Sequence, residues 1–261
     1  MPENRVRLAA VSFLNTRPLI SALEDGRVPG YTIIKDVPSA LPGLIEQGKA
    51  DLGLLPAGYC IYHPDLEIAS GSGIACRGPV RSILLITSTT AKDCTRIAAT
   101  THSMSSVKLL SVLMERHFRT HAKIYSAEDP MGEMALGRSD GALLIGDPAL
   151  LADPGSLRCY DLGEEWFRFT GLPFVFAVWA GRDRECVRQA GPDLVRAMRL
   201  GRSEIPRLAA ESAGPLGIPA ELCEDYLSHY IIHDVGPAEM EGYAAFRDMI
   251  IGTSTKGDQN R

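Results

Sequence analysis

The stretch from Arg96 to Ile145, RIAATTHSMSSVKLLSVLMERHFRTHAKIYSAEDPMGEMALGRSDGALLI, changes its hydrophobic period four times in 50 residues. Arg96–Thr100, Lys123–Ser126 and Gly141–Ile145 are short, apolar and bounded by polar turns, as buried strands are. Between the first two, Ser105–Phe118 puts Val107, Leu110, Leu113 and Met114 on one helical face and turns Lys108, Glu115 and Arg116 elsewhere. Met131–Gly137 is a second, shorter helical pattern. Strands that alternate with helices are joined by crossovers, which predicts a parallel α/β lobe over about residues 91–174.

The same alternation runs upstream. Val6–Val11, Leu52–Pro56, Glu67–Ala75 and Ser82–Ser88 read as strands. Ala40–Gly48 reads as a crossover helix, with Leu41, Leu44 and Ile45 at helical spacing and Gly48 where a helix ends. Downstream, Phe174–Ala180 is apolar and β-rich, a buried strand that returns the chain to the first lobe. Three helices follow, Glu185–Ala213, Pro219–His229 and Pro237–Ile251, punctuated by Gly214-Pro215, Gly217-Ile218-Pro219 and Gly236-Pro237. The expected organisation is one lobe of residues 1–90 plus 175–252 and another of 91–174, crossed twice by the chain, with a flexible tail at 253–261.

Of the 261 residues, 45% are hydrophobic and 23% charged, which supplies a real core and excludes global disorder. With 27 basic against 32 acidic side chains the net charge is −5, so there is no overall basic field for nucleic acid. The closest pair of the six cysteines, Cys60 and Cys76, is 16 positions apart, without the close spacing of zinc or redox motifs, and all six read as reduced core residues. The N-terminal residues lack a secretory signal, and no apolar run approaches the ~20 residues of a membrane span. A cytoplasmic protein with no membrane contact is expected, as a monomer or homodimer.

Two places suit an anionic ligand, because each follows a strand and opens a helix whose first N–H groups are unpaired. One is Ser12-Phe13-Leu14-Asn15-Thr16-Arg17-Pro18, where Asn15 or Thr16 is placed to cap the helix. The other is Thr101-His102-Ser103-Met104-Ser105-Ser106. One site per lobe, facing across a cleft, would suit a small molecule with two separated carboxylates. Asp147, in Gly146-Asp147-Pro148 at a strand end, either caps the next turn or faces the ligand. Gly71, Gly73 and Gly78 miss the dinucleotide fingerprint, and there is no phosphate loop and no nucleophile elbow. His117 with His121, and His229 with His233, have the four-residue spacing of metal ligands but no third ligand, and read as surface or capping residues.

The first loop with Leu19, the turn Gly78-Pro79-Val80-Arg81-Ser82, Ser105-Ser106-Val107, Ile145-Gly146-Asp147-Pro148-Ala149-Leu150 and Gly171-Leu172-Pro173-Phe174-Val175-Phe176-Ala177-Val178-Trp179 together resemble the chorismate dehydratase family. That family opens the futalosine route to menaquinone, and the resemblance runs from Arg5 to Ile250. It implies an α/β, two-lobed fold like the type 2 periplasmic binding proteins, with a central ligand cleft. It also implies a hydro-lyase acting on chorismate without cofactor or metal. Asn15 becomes the catalytic candidate, and Ser82, Ser105 and Ser106 hold carboxylate. Ser12, Thr16, Arg17, Ser103, Gly146 and Asp147 complete the candidate substrate contacts. Met104 stands where relatives often carry a longer polar side chain. The sister family that makes dihydroxynaphthoate carries a Cys-Pro-Asn-Asp type motif in its first loop, absent here. A cytoplasmic binding or sensing protein on the same fold is the alternative from another functional class.

Overall fold

The computed structural model describes residues 5–100 and 104–257, with backbone alone for 253–257. In chain order the first elements are β1 (Val6–Ala10), α1 (Arg17–Glu24), β2 (Tyr31–Lys35), α2 (Leu41–Glu46), β3 (Leu52–Pro56), α3 (Ala57–Tyr62) and β4 (Glu67–Cys76). Then come β5 (Ile83–Thr87), β6 (Arg96–Thr100), α4 (Met104–Val112), β7 (Lys123–Ala127), α5 (Pro130–Ala135), β8 (Gly141–Ile145), α6 (Asp147–Leu150), β9 (Arg158–Asp161) and α7 (Leu162–Thr170). The chain closes with β10 (Phe174–Gly181), α8 (Arg184–Arg202), α9 (Ile205–Leu216), α10 (Ala220–Asp225) and α11 (Pro237–Gly257). Two compact units result, Met1–Ala75 with Val175–Pro237 and Cys76–Phe174 with Ala238–Arg261.

The first unit holds a sheet of order β2-β1-β3-β10-β4. β1 runs parallel to β2 and β3, whereas β10 is antiparallel to β3 with Ala177 opposite Pro56. All five residues of β3 are buried, as its continuous apolar run requires. Helix α8 buries Val187, Ala190, Leu194, Ala197, Met198 and Gly201, an amphipathic stripe. Gly201 is where α8 meets α1: a Cβ there would lie 2.0 Å from the Pro18 carbonyl oxygen.

The second unit's sheet has the order β7-β6-β8-β5-β9. β6 is parallel to β7 and β8, and β5 is antiparallel to both its neighbours. Its aromatic core sets Trp166, Phe174 and Phe246 edge to face, with centroids 4.7 to 5.8 Å apart. The Trp166 indole N–H donates to the Pro173 carbonyl at 3.1 Å. Gly242 of α11 lets the same carbonyl approach the helix, since a Cβ there would stand 1.9 Å from that oxygen.

Several expectations are corrected. Both sheets are mixed, because β5 and β10 run against their neighbours. β5 belongs to the second sheet, so the first unit's opening segment ends at Ala75 rather than near residue 90. Phe246 and Gly242 place α11 in the second unit, which makes three chain crossings instead of two. α11 also continues through 253–257 of the expected tail, while 258–261 lie outside the described residues. The long helix expected over Glu185–Ala213 breaks at Ser203-Glu204, where Pro206 opens α9 in its first turn.

Gly242→Ala is expected to destabilise the protein by about 1–3 kcal/mol, because the new methyl group meets a backbone oxygen that cannot swing away. Urea unfolding against the parent chain measures this, and an unchanged midpoint would contradict the close approach.

Candidate functional site

The chain leaves β1 at Ala10 and makes a 3₁₀ turn over Leu14–Thr16 before α1 begins. Thr16 N–H donates to the Phe13 carbonyl, and the Arg17 N–H to that of Leu14, so backbone carbonyls serve the helix start. Neither Asn15 nor Thr16 caps α1 with its side chain, which corrects the capping expectation. The Asn15 amide is used differently: Nδ2 donates to Tyr226 Oη at 3.2 Å, and Oδ1 receives the Thr16 hydroxyl at 3.4 Å.

A second group holds the backbone of the same residue. The His233 ring Nε2 lies 2.8 Å from the Asn15 carbonyl oxygen. A carbonyl only accepts, so Nε2 carries the hydrogen and Nδ1 keeps its lone pair. His233 is fully buried, and Nδ1 has no hydrogen-bond partner. Burial pushes the ring's pKa down to about 4, against the Asn15 hydrogen bond that favours the cation; the charge of Arg202 adds to the lowering. The imidazole is therefore a neutral donor. His233 itself is fixed by its backbone, whose carbonyl accepts from Gly73 N in β4. Tyr226, 1% exposed, stands where α10 widens into a π-turn over Tyr226–Tyr230.

Ser12 and Arg17 line a pocket of about 280 Å³ with Leu14, Lys35 and Glu211. Arg17 pairs with Glu24 at 3.2 Å and Glu211 at 3.3 Å, and Lys35 with Glu24 at 2.6 Å. Two cations meet two carboxylates there, so the pocket has no net pull on an anion.

In the second unit the register gathers the candidates at one sheet edge. β6 and β8 are parallel, with Ala99 opposite Leu143, and β5 is antiparallel with Ile83 opposite Ile145. Ser105 and Ser106 after β6, Gly146 and Asp147 after β8, and Ser82 before β5 thus leave the sheet at its carboxyl edge, where α/β sheets bind ligands. Ser82, Ser105 and Ser106 are buried, Asp147 half-buried, and the Gly146 N–H donates to the Ser82 carbonyl at 2.8 Å. Ser103 lies outside the described residues.

The turn before Ser82 has its own anchor. Asp161 accepts from the backbone N–H groups of Val80 (3.0 Å), Arg81 (2.6 Å), Gly163 (2.9 Å) and Glu164 (3.1 Å). It thereby caps α7 and holds Arg81 at φ +62, a left-handed conformation that costs a non-glycine residue about 1–3 kcal/mol. Burial raises the Asp161 pKa above its ordinary value, and the four N–H groups oppose that rise. Asp161 and Tyr226 escaped the sequence reading, and His233 entered it only as a surface or capping histidine, which its complete burial corrects. Asp161 alone had a usable signal, an aspartate three residues before Glu164 at a helix start.

The histidine pairs part company: His117 meets Glu165 at 2.8 Å while His121 is exposed, and His229 meets Asp225 at 3.0 Å while His233 is buried. Among the described residues no three His, Cys, Asp or Glu side chains come together as a metal would need. Cysteine burial is uneven, with Cys60 and Cys76 inside and Cys159 exposed against the all-core expectation. Burial pushes the Cys60 thiol up to about 12, far from a nucleophile's range.

Residues 6–251 match a family model described as menaquinone biosynthesis. A chorismate dehydratase from Thermus thermophilus is 30% identical over 260 residues, 91% of this chain and 92% of its own. A crystal structure of a protein from Archaeoglobus fulgidus matches with a TM-score of 0.77 at 17% identity, over 98% of this chain and all of that one. The periplasmic aliphatic sulphonate binding protein of Escherichia coli matches at 0.68 and 16%, over 99% and 89%. At such identities these structures speak for the fold, which is the two-lobed α/β fold of periplasmic binding proteins.

Two outcomes are expected. Asp161→Ala strands four N–H groups and should lose roughly 2 kcal/mol or more in chemical unfolding. His233, with a folded-state value of about 4 against 6.5 for a free imidazole, takes up its proton in the unfolded chain first. Stability should therefore fall as pH drops from about 6.5 to about 4 and level off below that. His233→Gln should lack this part of the slope. Parallel slopes for the two proteins across that window would contradict the burial of a neutral ring.

Proposed function

The chain belongs to the menaquinone biosynthesis family, and on that premise we propose that it is a chorismate dehydratase, a hydro-lyase converting chorismate to 3-[(1-carboxyvinyl)oxy]benzoate and water. The observation that carries this reading is the match to the Thermus enzyme along 91% of the chain. A cytoplasmic location is part of the same proposal, in keeping with a biosynthetic role. Among the described residues no helix is long and apolar enough to cross a membrane.

Chorismate carries a ring carboxylate, an enolpyruvyl ether carboxylate, and a hydroxyl beside the ether-bearing carbon. The hydroxyl leaves as water with the proton of the ether-bearing carbon, and the ring becomes aromatic. Aromatisation drives the step without any change in redox state. The enzyme's task is to hold the side chain away from competing rearrangement and to stabilise the departing oxygen.

Asn15 suits the second part of that task. An amide has two N–H donors and two acceptor positions, and Tyr226 and Thr16 occupy one of each. One donor and one acceptor position are left for a substrate. An amide is no base, so in this reading Asn15 hydrogen-bonds the leaving hydroxyl or the carboxylate that takes the proton. The base in this reading is the substrate's own enolpyruvyl carboxylate or, as the alternative, a side chain such as Asp147. Ser82, Ser105, Ser106 and Gly146 bind substrate carboxylate in the same reading, with Ser12 and Thr16 as lesser contacts. Arg17 is the weakest assignment, being held by two carboxylates already.

Purified protein incubated with chorismate should release the enolpyruvyl benzoate, followed by chromatography. A folded protein that binds chorismate but leaves it unchanged would instead be a sensor, and one that turns over cyclic dehypoxanthine futalosine would be the sister enzyme. Asn15→Asp should lower turnover by about 100- to 1,000-fold, because it removes the amide donor and sets a negative charge beside a dianion. Its thermal midpoint should move little, since aspartate keeps the shape of asparagine and its Oδ1 can still accept from the Thr16 hydroxyl. Near-normal turnover by this variant would move the catalytic assignment to Asp147 or the serines.

A further inference from the structure

We propose that His233 and Tyr226 are positioning residues for Asn15, one fixing its backbone and the other the plane of its amide; the inference rests on the catalytic reading of Asn15 above. A side-chain amide turns about two bonds, and a donor aimed at a leaving oxygen must be held in direction before the reaction begins. Asn15 is held twice. Its carbonyl oxygen is 2.8 Å from His233 Nε2, and its Nδ2 is 3.2 Å from Tyr226 Oη. Both partners come from the chain just past α10, more than 200 positions away in sequence.

The partners are themselves rigid. Tyr226 is 1% exposed and His233 0%. The stretch around His233 is laced to β4 by four backbone bonds: Gly71, Gly73 and Ala75 donate to Val235, His233 and Ile232, and Ile232 donates back to Ala75. Packing alone does not call for an imidazole here. Its buried Nδ1 has no partner, a polar atom that burial penalises and that a leucine would not carry. The benefit that offsets this penalty is the Nε2 hydrogen bond to Asn15.

The test compares His233→Leu, His233→Gln, Tyr226→Phe, Asn15→Ala and the Asn15→Ala/His233→Leu double variant in steady-state turnover of chorismate, each checked for folding by thermal melting. Leucine removes the donor, whereas glutamine carries an N–H near the Nε2 position. His233→Leu should lower kcat by about 10- to 100-fold with KM within about threefold. His233→Gln should recover most of that loss, which a merely structural role would not produce. Tyr226→Phe deletes one oxygen and should lower kcat about 10-fold; it carries the test if His233→Leu does not fold. The double variant should be no slower than Asn15→Ala alone, because the positioning has nothing left to position.

Parental kcat in folded His233→Leu or Tyr226→Phe, with Asn15→Ala impaired, would overturn the positioning role. Equal loss in His233→Leu and His233→Gln would do so as well. Parental turnover by Asn15→Ala would instead overturn the catalytic reading of Asn15. A folded parent chain that leaves chorismate unchanged would remove the functional reading and this inference with it.

Discussion

A carbonyl oxygen just before α1 meets an imidazole 218 residues later in the chain, and several contacts of the first unit hold the two in place. The 3₁₀ turn Leu14–Thr16 satisfies the helix start with backbone groups, which frees the Asn15 side chain from capping. Gly201 lets α8 lie against Pro18, so the residues just after the turn are fixed from another side. The β4 ladder fixes His233. Each contact alone is an ordinary hydrogen bond or close approach. Together they leave the amide of Asn15 little freedom before any ligand arrives.

The second unit uses the same logic with different chemistry. There a buried carboxylate, Asp161, gathers four backbone donors and imposes a left-handed residue on the turn that leads to Ser82. The turn's shape is thus stored in one side chain outside it. In both units a loop at a sheet edge owes its geometry to a polar group far along the chain. Loops carry function most readily when a rigid scaffold decides their shape.

This division explains what could be read from the amino-acid sequence. Buried central strands such as Leu52–Pro56 and Gly141–Ile145 announce themselves by continuous apolar runs, and the Asn15 and Ser105 loops by lying between a strand and a helix. The strands missed, Tyr31–Lys35 and Arg158–Asp161, are sheet edges whose mixed burial blurs any pattern. Strand direction was also hidden, because β5 and β10 reverse without a change of composition. His233 showed only its spacing to His229, a periodicity that the extended backbone after Tyr230 abolishes. Tyr226 carried no local mark at all, since its role exists only once residues 211 positions apart are folded together.

The backbone of the stretch around His233 has a second effect, on association between molecules. β4 is the last strand of its sheet, and an uncovered edge presents a row of N–H and C=O groups to which another chain can add a strand. Residues 232–235 take up that row, accepting from Gly71, Gly73 and Ala75. Loosening this cover would open an apolar, glycine-bearing edge to intermolecular sheet growth. The segment that orients one amide thus also covers the β4 edge of its sheet.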